Sequence, residues 1–380
     1  MGSRPRLVWL VSEDWYFRLH FLHWAEAARD AGFDVHLIAR TGERGPEAAS
    51  EIRDAGFAVH EIDLRRSGLN PFDDLRARRQ ILRLYRDLAP DIVQHVAIKP
   101  VLHGQWAARR LGIQARVNLI PGLGYVFSSR TAKARLLRPM VTSALGRALS
   151  REDGIMVLNE DDRTFLAVLA GVPNESVSVV PGIGVDVERF HSTPEPDGSV
   201  TIALVARMLR DKGVIETVEA VRGLSAAGKL VRLRLIGGPD PGNPESISED
   251  RLKAWGDLPY VDYVGPVVDV ASEWAKAHIA CLPSQYREGL PTSLSEAAAC
   301  GRPIVTTDTP GCRDVVRDGE TGYLVPPSDT AALLVALDRL VSDPELRQRM
   351  GAAARADAEA RFSRQAVLGQ VIALYRRLLR

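Results

Sequence analysis

Residues 288–307 read Glu288-Gly-Leu-Pro-Thr-Ser-Leu-Ser-Glu296-Ala-Ala-Ala-Cys300-Gly-Arg-Pro-Ile-Val-Thr-Thr307. Pro291 has no N–H and its φ is already set for a first helical turn, so a helix is predicted to start there. Pro303–Thr306 then reads as a short buried strand. Glu288 falls in the loop ahead of the helix and Glu296 inside it. The N–H groups of Leu290, Thr292 and Ser293 have no partner within such a helix and point to the same side as Glu288, toward a place suited to an anion. Carboxylates for hydroxyl groups beside an amide-rich helix start suit a sugar nucleotide.

The same loop–helix–strand idiom extends outward in both directions. Arg6–Val11, Asp34–Ala39, Phe57–Asp63, Asp91–Val96 and Ala115–Ile120 carry strand signals. Helical periodicity over His20–Ala31, Pro46–Ala55, Asp73–Leu88 and Val101–Leu111 lies between them. Strict alternation predicts a parallel sheet with helices on both faces. It restarts at Val200, with strands at Val200–Ala206, Val231–Ile236, Tyr260–Val264, His278–Leu282, Pro303–Thr306 and Gly322–Val325. The expected fold class is α/β, two Rossmann-like doubly wound domains facing across a cleft, with ligands at the carboxyl ends of the strands. An acceptor domain over 1–185, a polar Pro-containing linker over 186–199 and a donor domain over 200–361 are expected. A last helix in 362–380 is expected to pack back on the first domain.

Composition narrows the class. Hydrophobic content of 46% and charged content of 26% are those of a soluble globular chain. A net charge of +1 gives no global field that calls for nucleic acid, and none is expected as a partner. Cys281, Cys300 and Cys312 form no CxxC and read as packed thiols in a reducing cytosol, not as zinc ligands or disulfides. The apolar run Leu7–Val11 is cut off by Ser12-Glu13-Asp14, too short for a signal peptide, and nowhere do 18 apolar residues run together. A cytoplasmic chain is expected.

Arg207 and Lys212, in Val205-Ala-Arg-Met-Leu-Arg-Asp-Lys-Gly213, follow the first strand of the second half. Arg as a fork and Lys as a point charge would hold a diphosphate there. With Glu288 and Glu296 downstream, the chain resembles the retaining glycosyltransferases of family 4, which have the GT-B fold. Pro181-Gly-Ile-Gly-Val-Asp-Val-Glu-Arg-Phe190, Asp308-Thr-Pro-Gly311 and Asp318-Gly-Glu-Thr-Gly-Tyr-Leu-Val325 carry the same resemblance, which covers nearly the whole chain. It implies that Arg207 and Lys212 bind the donor diphosphate and stabilise the departing nucleotide. Glu288 would contact the donor sugar and Glu296 the ribose. The amides of Gly289, Leu290, Thr292 and Ser293 would cap the phosphate, and Gly184 would let the backbone approach the donor closely. Glu288, Lys212 and Arg207 are thus the candidate catalytic residues. No Asp-x-Asp lies at a strand end. Asp186-Val-Glu188 is the nearest and reads as a turn, so a metal-independent reaction with no cofactor beyond a UDP-linked donor is expected.

Acceptor contacts are expected from the first half. Ser12–His20 lies where the first strand meets the first helix, so Asp14, Phe17 and His20 are candidates. His95 and Lys99 end a later strand, and Gly122 follows the next. For His20 and His95 a structural role is an equal alternative. With Arg66-Ser-Gly-Leu-Asn-Pro-Phe72, these segments are similar to a family 4 branch that builds bacterial surface glycans on undecaprenyl diphosphate, N-acetylgalactosaminyltransferases among them. Two departures stand out. Glu13-Asp14-Trp15 replaces the Gly-rich turn many members have after the first strand, and Pro121 stands where many have a histidine. No catalytic base is therefore assigned; a front-face displacement needs none, because the leaving phosphate takes the acceptor proton.

Residues 128–151 hold Arg130, Lys133, Arg135, Arg138, Arg147 and Arg151 among apolar side chains, with no acid. Such a stretch fits an interfacial helix on anionic lipid, with an ordinary helix bearing a charged outer face as the alternative. The combined expectation is retaining transfer of a hexose or N-acetylhexosamine from a UDP-sugar to a lipid-linked polyprenyl-diphosphate glycan, peripheral at the inner face of the cytoplasmic membrane. Transfer to a small soluble acceptor, or sugar-nucleotide binding without transfer, are the alternatives.

Overall fold

The computed structural model describes residues 4–42, 46–65, 70–128 and 132–380. The chain divides into two compact units, one running to Ile183 and including Val367–Arg380, the other Gly184–Ala366.

In the first unit the elements are β1 (Arg6–Glu13), α1 (Asp14–Asp30), β2 (Asp34–Arg40), α2 (Glu47–Asp54), β3 (Ala58–Glu61), α3 (Pro71–Leu88) and β4 (Ile92–Val96). They continue with α4 (Ile98–Arg110), β5 (Ala115–Ile120), α5 (Gly124–Ser128), α6 (Ala132–Ala148), β6 (Gly154–Val157), α7 (Glu160–Ala170) and β7 (Val177–Val179). The sheet is parallel, in the order β3-β2-β1-β4-β5-β6-β7. Side chains alternate across it. Val8, Leu10 and Val93 face Ala77, Ile81 and Tyr85 of α3 and Ala107 of α4, while Ile155 and Val157 face Leu145 of α6. On the other face Trp9 meets α1, with ring centroids 5.4 Å from Phe17 and 6.2 Å from Trp24.

The second unit holds β8 (Val200–Val205), α8 (Val214–Ala226), β9 (Val231–Ile236), α9 (Glu249–Gly256), β10 (Val261–Gly265), α10 (Val270–Ala275) and β11 (Ile279–Leu282). α11 (Thr292–Ala299), β12 (Ile304–Thr307), β13 (Gly322–Val325), α12 (Thr330–Ser342) and α13 (Pro344–Asp357) follow, and α14 (Arg364–Leu378) closes the chain. This sheet is also parallel, in the order β10-β9-β8-β11-β12-β13. Strand order reverses between β8 and β11. The loops leaving those two neighbours diverge and open a crevice at their carboxyl ends, the place where such sheets bind ligands.

Residues 186–199 behave differently from a free linker. They belong to the second unit, where Arg347 forks onto Glu195 at 3.0 and 2.8 Å. Arg302 donates to Thr193 Oγ1, and Arg355 to the carbonyl oxygens of Val187 and Phe190. Polar, Pro-containing composition matched a linker, but these arginines bind the stretch to one unit. α14 returns to the first unit: the Tyr375 hydroxyl donates to Gln94 on β4, and Gly154 leaves room for Leu374 and Leu378.

Within the basic stretch at 128–151, α6 covers Ala132–Ala148, and Arg130 lies outside the described residues. Leu145 and Leu149, two of the apolar side chains of this stretch, are buried against β6 and α7, and Val141 packs on the same cluster. Among the described apolar side chains of this stretch, Leu136 (81% exposed) and Met140 (59%) project outward. The periodicity was that of an ordinary packed helix over most of its length. No described helix is long and apolar enough to cross a membrane.

Candidate functional site

The switch point of the second unit brings together what the sequence holds far apart. Arg207 leaves β8, and a short 3-10 turn over Arg210–Lys212 follows. Gly213 then adopts φ +72°, and a Cβ there would lie 2.2 Å from the Pro283 carbonyl oxygen. Only glycine lets the β8 loop touch the β11 loop so closely. Contact is sealed by Gln285 N donating to Asp211 O at 2.7 Å. Across this seam the Lys212 ammonium donates to Glu288 Oε1, which also accepts from the Ser284 hydroxyl at 2.8 Å. Glu288 is held from below: its N–H donates to Pro310 O at 2.9 Å, and a Cβ on Gly311 (φ +83°) would lie 2.6 Å from the Glu288 and Gly289 carbonyl oxygens.

α11 begins one residue later than expected, because Pro291 is the cap residue with an extended ψ of 111°. Its carbonyl accepts from Leu294 N at 3.1 Å. Among the described residues the N–H groups of Thr292 and Ser293 have no acceptor, which leaves them available to an anion. Gly289 stands in the loop and the Leu290 side chain is buried. Glu296, one turn into the helix, keeps part of its surface open, yet desolvation pushes its carboxyl up to about 7. The Trp274 indole and the Arg189 guanidinium pull in the other direction and do not prevail. Burial likewise raises Asp211 above the usual carboxylate range, against the pull of Lys212 and with that of Glu288.

Arg207 is more than half exposed and pairs with Asp240 at 2.5 Å. Both cations therefore already hold a carboxylate. Gly184, at φ +91°, sits beside Val185, whose N–H donates to Phe362 O at 2.7 Å. Asp186 accepts from Glu188 N and Arg189 N and pairs with Arg364, which makes it a turn cap. No group of three His, Cys, Asp or Glu side chains converges as a metal site among the described residues. Ser284 and Asp240 escaped the sequence reading, and Gly213 and Gly311 were quoted within motifs without the roles they play here. A small residue or a hydroxyl in a loop carries no periodic signal, although Gly213 does close the quoted Arg207–Lys212 segment.

Three of the acceptor candidates require correction. His95 is fully buried: Nδ1 bonds Asn118 Oδ1 at 2.8 Å and Nε2 bonds the Tyr85 hydroxyl at 3.1 Å. Phe17 is sealed against Trp9. The buried Asp14 accepts from Trp15 N at 2.7 Å and Gly42 N at 3.3 Å. His95 lies near the end of β4, and Asp14 and Phe17 lie in the first turn of α1, but all three side chains are buried and committed within the unit. Lys99 is half-buried at the start of α4 and committed to Asp74 (3.2 Å) and Arg65 O (3.3 Å). His20 is half-buried against Tyr16, at 4.6 Å between ring centroids, and Gly122 is half-buried in the loop after β5.

A doubly wound pair of units, the second presenting cations and carboxylates at its switch point, is the architecture of GT-B glycosyltransferases. Comparison with known proteins agrees. The sequence model for glycosyl transferases group 1 matches residues 187–357, and that for glycosyl transferase 4-like proteins matches residues 6–157. The chain belongs to these glycosyltransferases. It is 26% identical over 379 residues, 96% of each chain, to the N,N'-diacetylbacillosaminyl-diphospho-undecaprenol alpha-1,3-N-acetylgalactosaminyltransferase of Campylobacter jejuni. To the capsular polysaccharide biosynthesis glycosyltransferase CapM of Staphylococcus aureus it is 24% identical, over 93% of each. Among solved structures, a Rickettsia africae glycosyltransferase superposes with a TM-score of 0.80 over all of both chains at 17% identity. Anabaena HepE in complex with UDP and glucose gives 0.77 over 97% and 98% of the two chains, at 15% identity.

Proposed function

We propose that this glycosyltransferase moves a hexose or N-acetylhexosamine, with retention, from a UDP-sugar to a polyprenyl-diphosphate-linked glycan in bacterial surface polysaccharide assembly, without a metal or other cofactor. The observation that carries this reading is the Lys212–Glu288 pair beside the open N–H groups of Thr292 and Ser293. Similarity to an undecaprenol-linked N-acetylgalactosaminyltransferase supports the acceptor class, and the UDP-bound structural neighbour supports the donor class.

In this reading Arg207 leaves Asp240 for the donor diphosphate, and Lys212 and the α11 amides meet the same group. Charge builds on the diphosphate as the sugar C–O bond breaks, and preorganised cations and dipoles are worth most at that moment. Glu288 orients the sugar hydroxyls and Glu296 accepts from the ribose. The acceptor hydroxyl attacks from the face the phosphate leaves, and a phosphate oxygen takes its proton, so no protein base is required. His20, Lys99 and Gly122 remain the acceptor-side candidates. Peripheral membrane contact at the cytoplasmic face is part of this reading, with 128–151 as one contributor to it.

The test is UDP release from UDP-sugars by the full chain. Slow release that rises on adding a lipid-linked acceptor supports transfer, whereas release insensitive to acceptor, or wild-type rates in Lys212→Ala and Glu288→Ala, rejects it.

A further inference from the structure

α3, α4 and α6 lie side by side over one face of the first sheet, α3 on α4 and α4 on α6. Together they carry twelve Lys and Arg against three Asp, a surplus of nine positive charges in a chain whose net charge is +1. The rest of the protein is therefore net negative, and the positive charge is gathered on this layer. Its distribution within the layer is ordered. Exposed residues of α3 fall at Phe72, Leu75, Arg76, Arg79, Arg83, Arg86 and Asp87, a helical stripe that starts apolar, continues basic and closes on one acid. Arg79, Arg83 and Arg86 have no ion-pair partner among the described residues. The acid Asp74 on the same helix turns inward to Lys99.

Apolar side chains project from the same layer. Phe72 is 80% exposed on α3, Trp106 stands out from α4, and Leu136 and Met140 stand out from α6. With Leu75 they make five of the eleven large exposed hydrophobic side chains among the described residues, on helices that hold about an eighth of the chain. Trp106 lies 5.8 Å from the guanidinium of Arg110 and the same distance from that of Arg78, an aromatic ring flanked by cations as interfacial tryptophans are. Arg109 donates to Arg147 O at 2.9 Å and ties α4 to α6. α3 and α6 both run back from the carboxyl ends of the strands, so Phe72 and Leu136 sit at the same end of the layer.

We propose that the whole α3–α4–α6 layer, and not α6 alone, docks onto an anionic phospholipid surface, with the α3 arginine stripe as its main electrostatic contact. Since Leu145 and Leu149 are buried, α6 by itself offers too little apolar surface; Phe72, Leu75 and Trp106 supply the rest. The inference rests on the lipid-linked acceptor of the preceding section. A peripheral surface of this kind places a soluble active site beside a substrate held in the bilayer. Lipid is favoured over nucleic acid because exposed aliphatic and aromatic groups share the layer with the cations, which a polyanion in water does not reward.

The experiment is flotation of the full chain with vesicles of phosphatidylglycerol and phosphatidylcholine, against phosphatidylcholine alone. Wild type should float only with the anionic vesicles and less at high salt. Arg79→Gln/Arg83→Gln/Arg86→Gln should weaken binding roughly a hundred-fold, at about five-fold per surface cation removed. Phe72→Ser should abolish the part that survives high salt. UDP binding, read in parallel, should be unchanged in all variants, which shows that they fold and keeps the donor reading separate. Wild-type flotation by the triple variant, or no flotation by wild type, overturns the proposal while leaving UDP binding intact. Equal retention on heparin with no effect of Phe72→Ser overturns it in favour of a plain polyanion surface.

Discussion

The Lys212 ammonium is bonded to Glu288 Oε1, although 76 residues separate the two in sequence. The pair is four-fifths buried, and the Ser284 hydroxyl fixes the same oxygen. Removing one member strands the other charge in a partly dry site. Lys212→Ala should therefore cost about 1–3 kcal/mol of stability and weaken UDP binding roughly 10- to 100-fold through the lost charge-assisted contact. Lys212→Ala/Glu288→Ala should regain much of the stability but none of the affinity. Titration calorimetry and thermal unfolding read the two separately. UDP affinity equal to wild type in the single variant would remove Lys212 from the site.

Gly311 supports Glu288 from the neighbouring loop, at φ +83° and with no room for a Cβ. Gly311→Ala must displace the Glu288–Gly289 backbone or shift its own, at a cost of about 1–3 kcal/mol. Because that backbone leads into α11, transfer should fall further than stability does. The expected outcome is a modest drop in melting temperature with at least a ten-fold loss of UDP affinity. A destabilised variant with unaltered affinity would show that the loop absorbs the methyl group without moving the site.

Glu296 carries a carboxyl pushed up to about 7 by desolvation. The folded chain therefore keeps its proton between pH 4.5 and 7, where the unfolded chain has lost it. Stability from this group is fully present below pH 4.5 and is lost as pH rises to 7, by about 3 kcal/mol in all. Glu296→Gln should remove that slope, raising the melting temperature at pH 8 while leaving pH 4.5 nearly unaffected. It should also weaken UDP binding, since an amide is a poorer acceptor for ribose hydroxyls than a carboxylate. Parallel melting curves for the two proteins from pH 5 to 8 would contradict the assignment.

The sheets and the charged cluster at the second unit's switch point were legible because their signals are periodic or paired. Buried parallel strands repeat as apolar runs such as Leu7–Val11, and Pro291 marks a helix start to within one residue. Arg207, Lys212, Glu288 and Glu296 are charged residues at strand and helix ends, where charge needs a reason. The acceptor side misled for the same cause. Asp14, Phe17 and His95 also occupy element ends, but position along a strand does not tell which face a side chain takes or whether a neighbour seals it. His95 alternates onto the α3–α4 face, and Gly104 leaves the space its ring fills: a Cβ there would lie 2.2 Å from the ring. Nothing local in residues 91–99 encodes that glycine or the Tyr85 hydroxyl. The linker was misread because composition reports solvation, while Arg302, Arg347 and Arg355, which bind it down, lie more than 100 residues further on.

His95 makes the first unit sensitive to acid. Asn118 Oδ1 can only accept, so Nδ1 carries the proton and Nε2 accepts from the Tyr85 hydroxyl, which describes a neutral ring. Burial holds its pKa down to about 4, against 6.5 when exposed. Between those values the unfolded chain binds a proton that the folded chain refuses. Stability from the neutral ring is complete above pH 6.5 and is lost as pH falls toward 4, by about 3 kcal/mol. His103, also lowered to about 4 by burial, adds in the same direction. Tryptophan fluorescence from the Trp9–Trp24 cluster should therefore report earlier melting at pH 5 than at pH 7. His95→Gln keeps a donor for Asn118 without a titrating proton. It should lower the melting temperature at pH 7, because it fills the Gly104 space poorly, and shrink the difference between pH 7 and pH 5. Acceptor saturation, measured on the folded variant at pH 7.5, should match wild type. A large rise in acceptor KM with an unchanged acid response would instead return His95 to the substrate side.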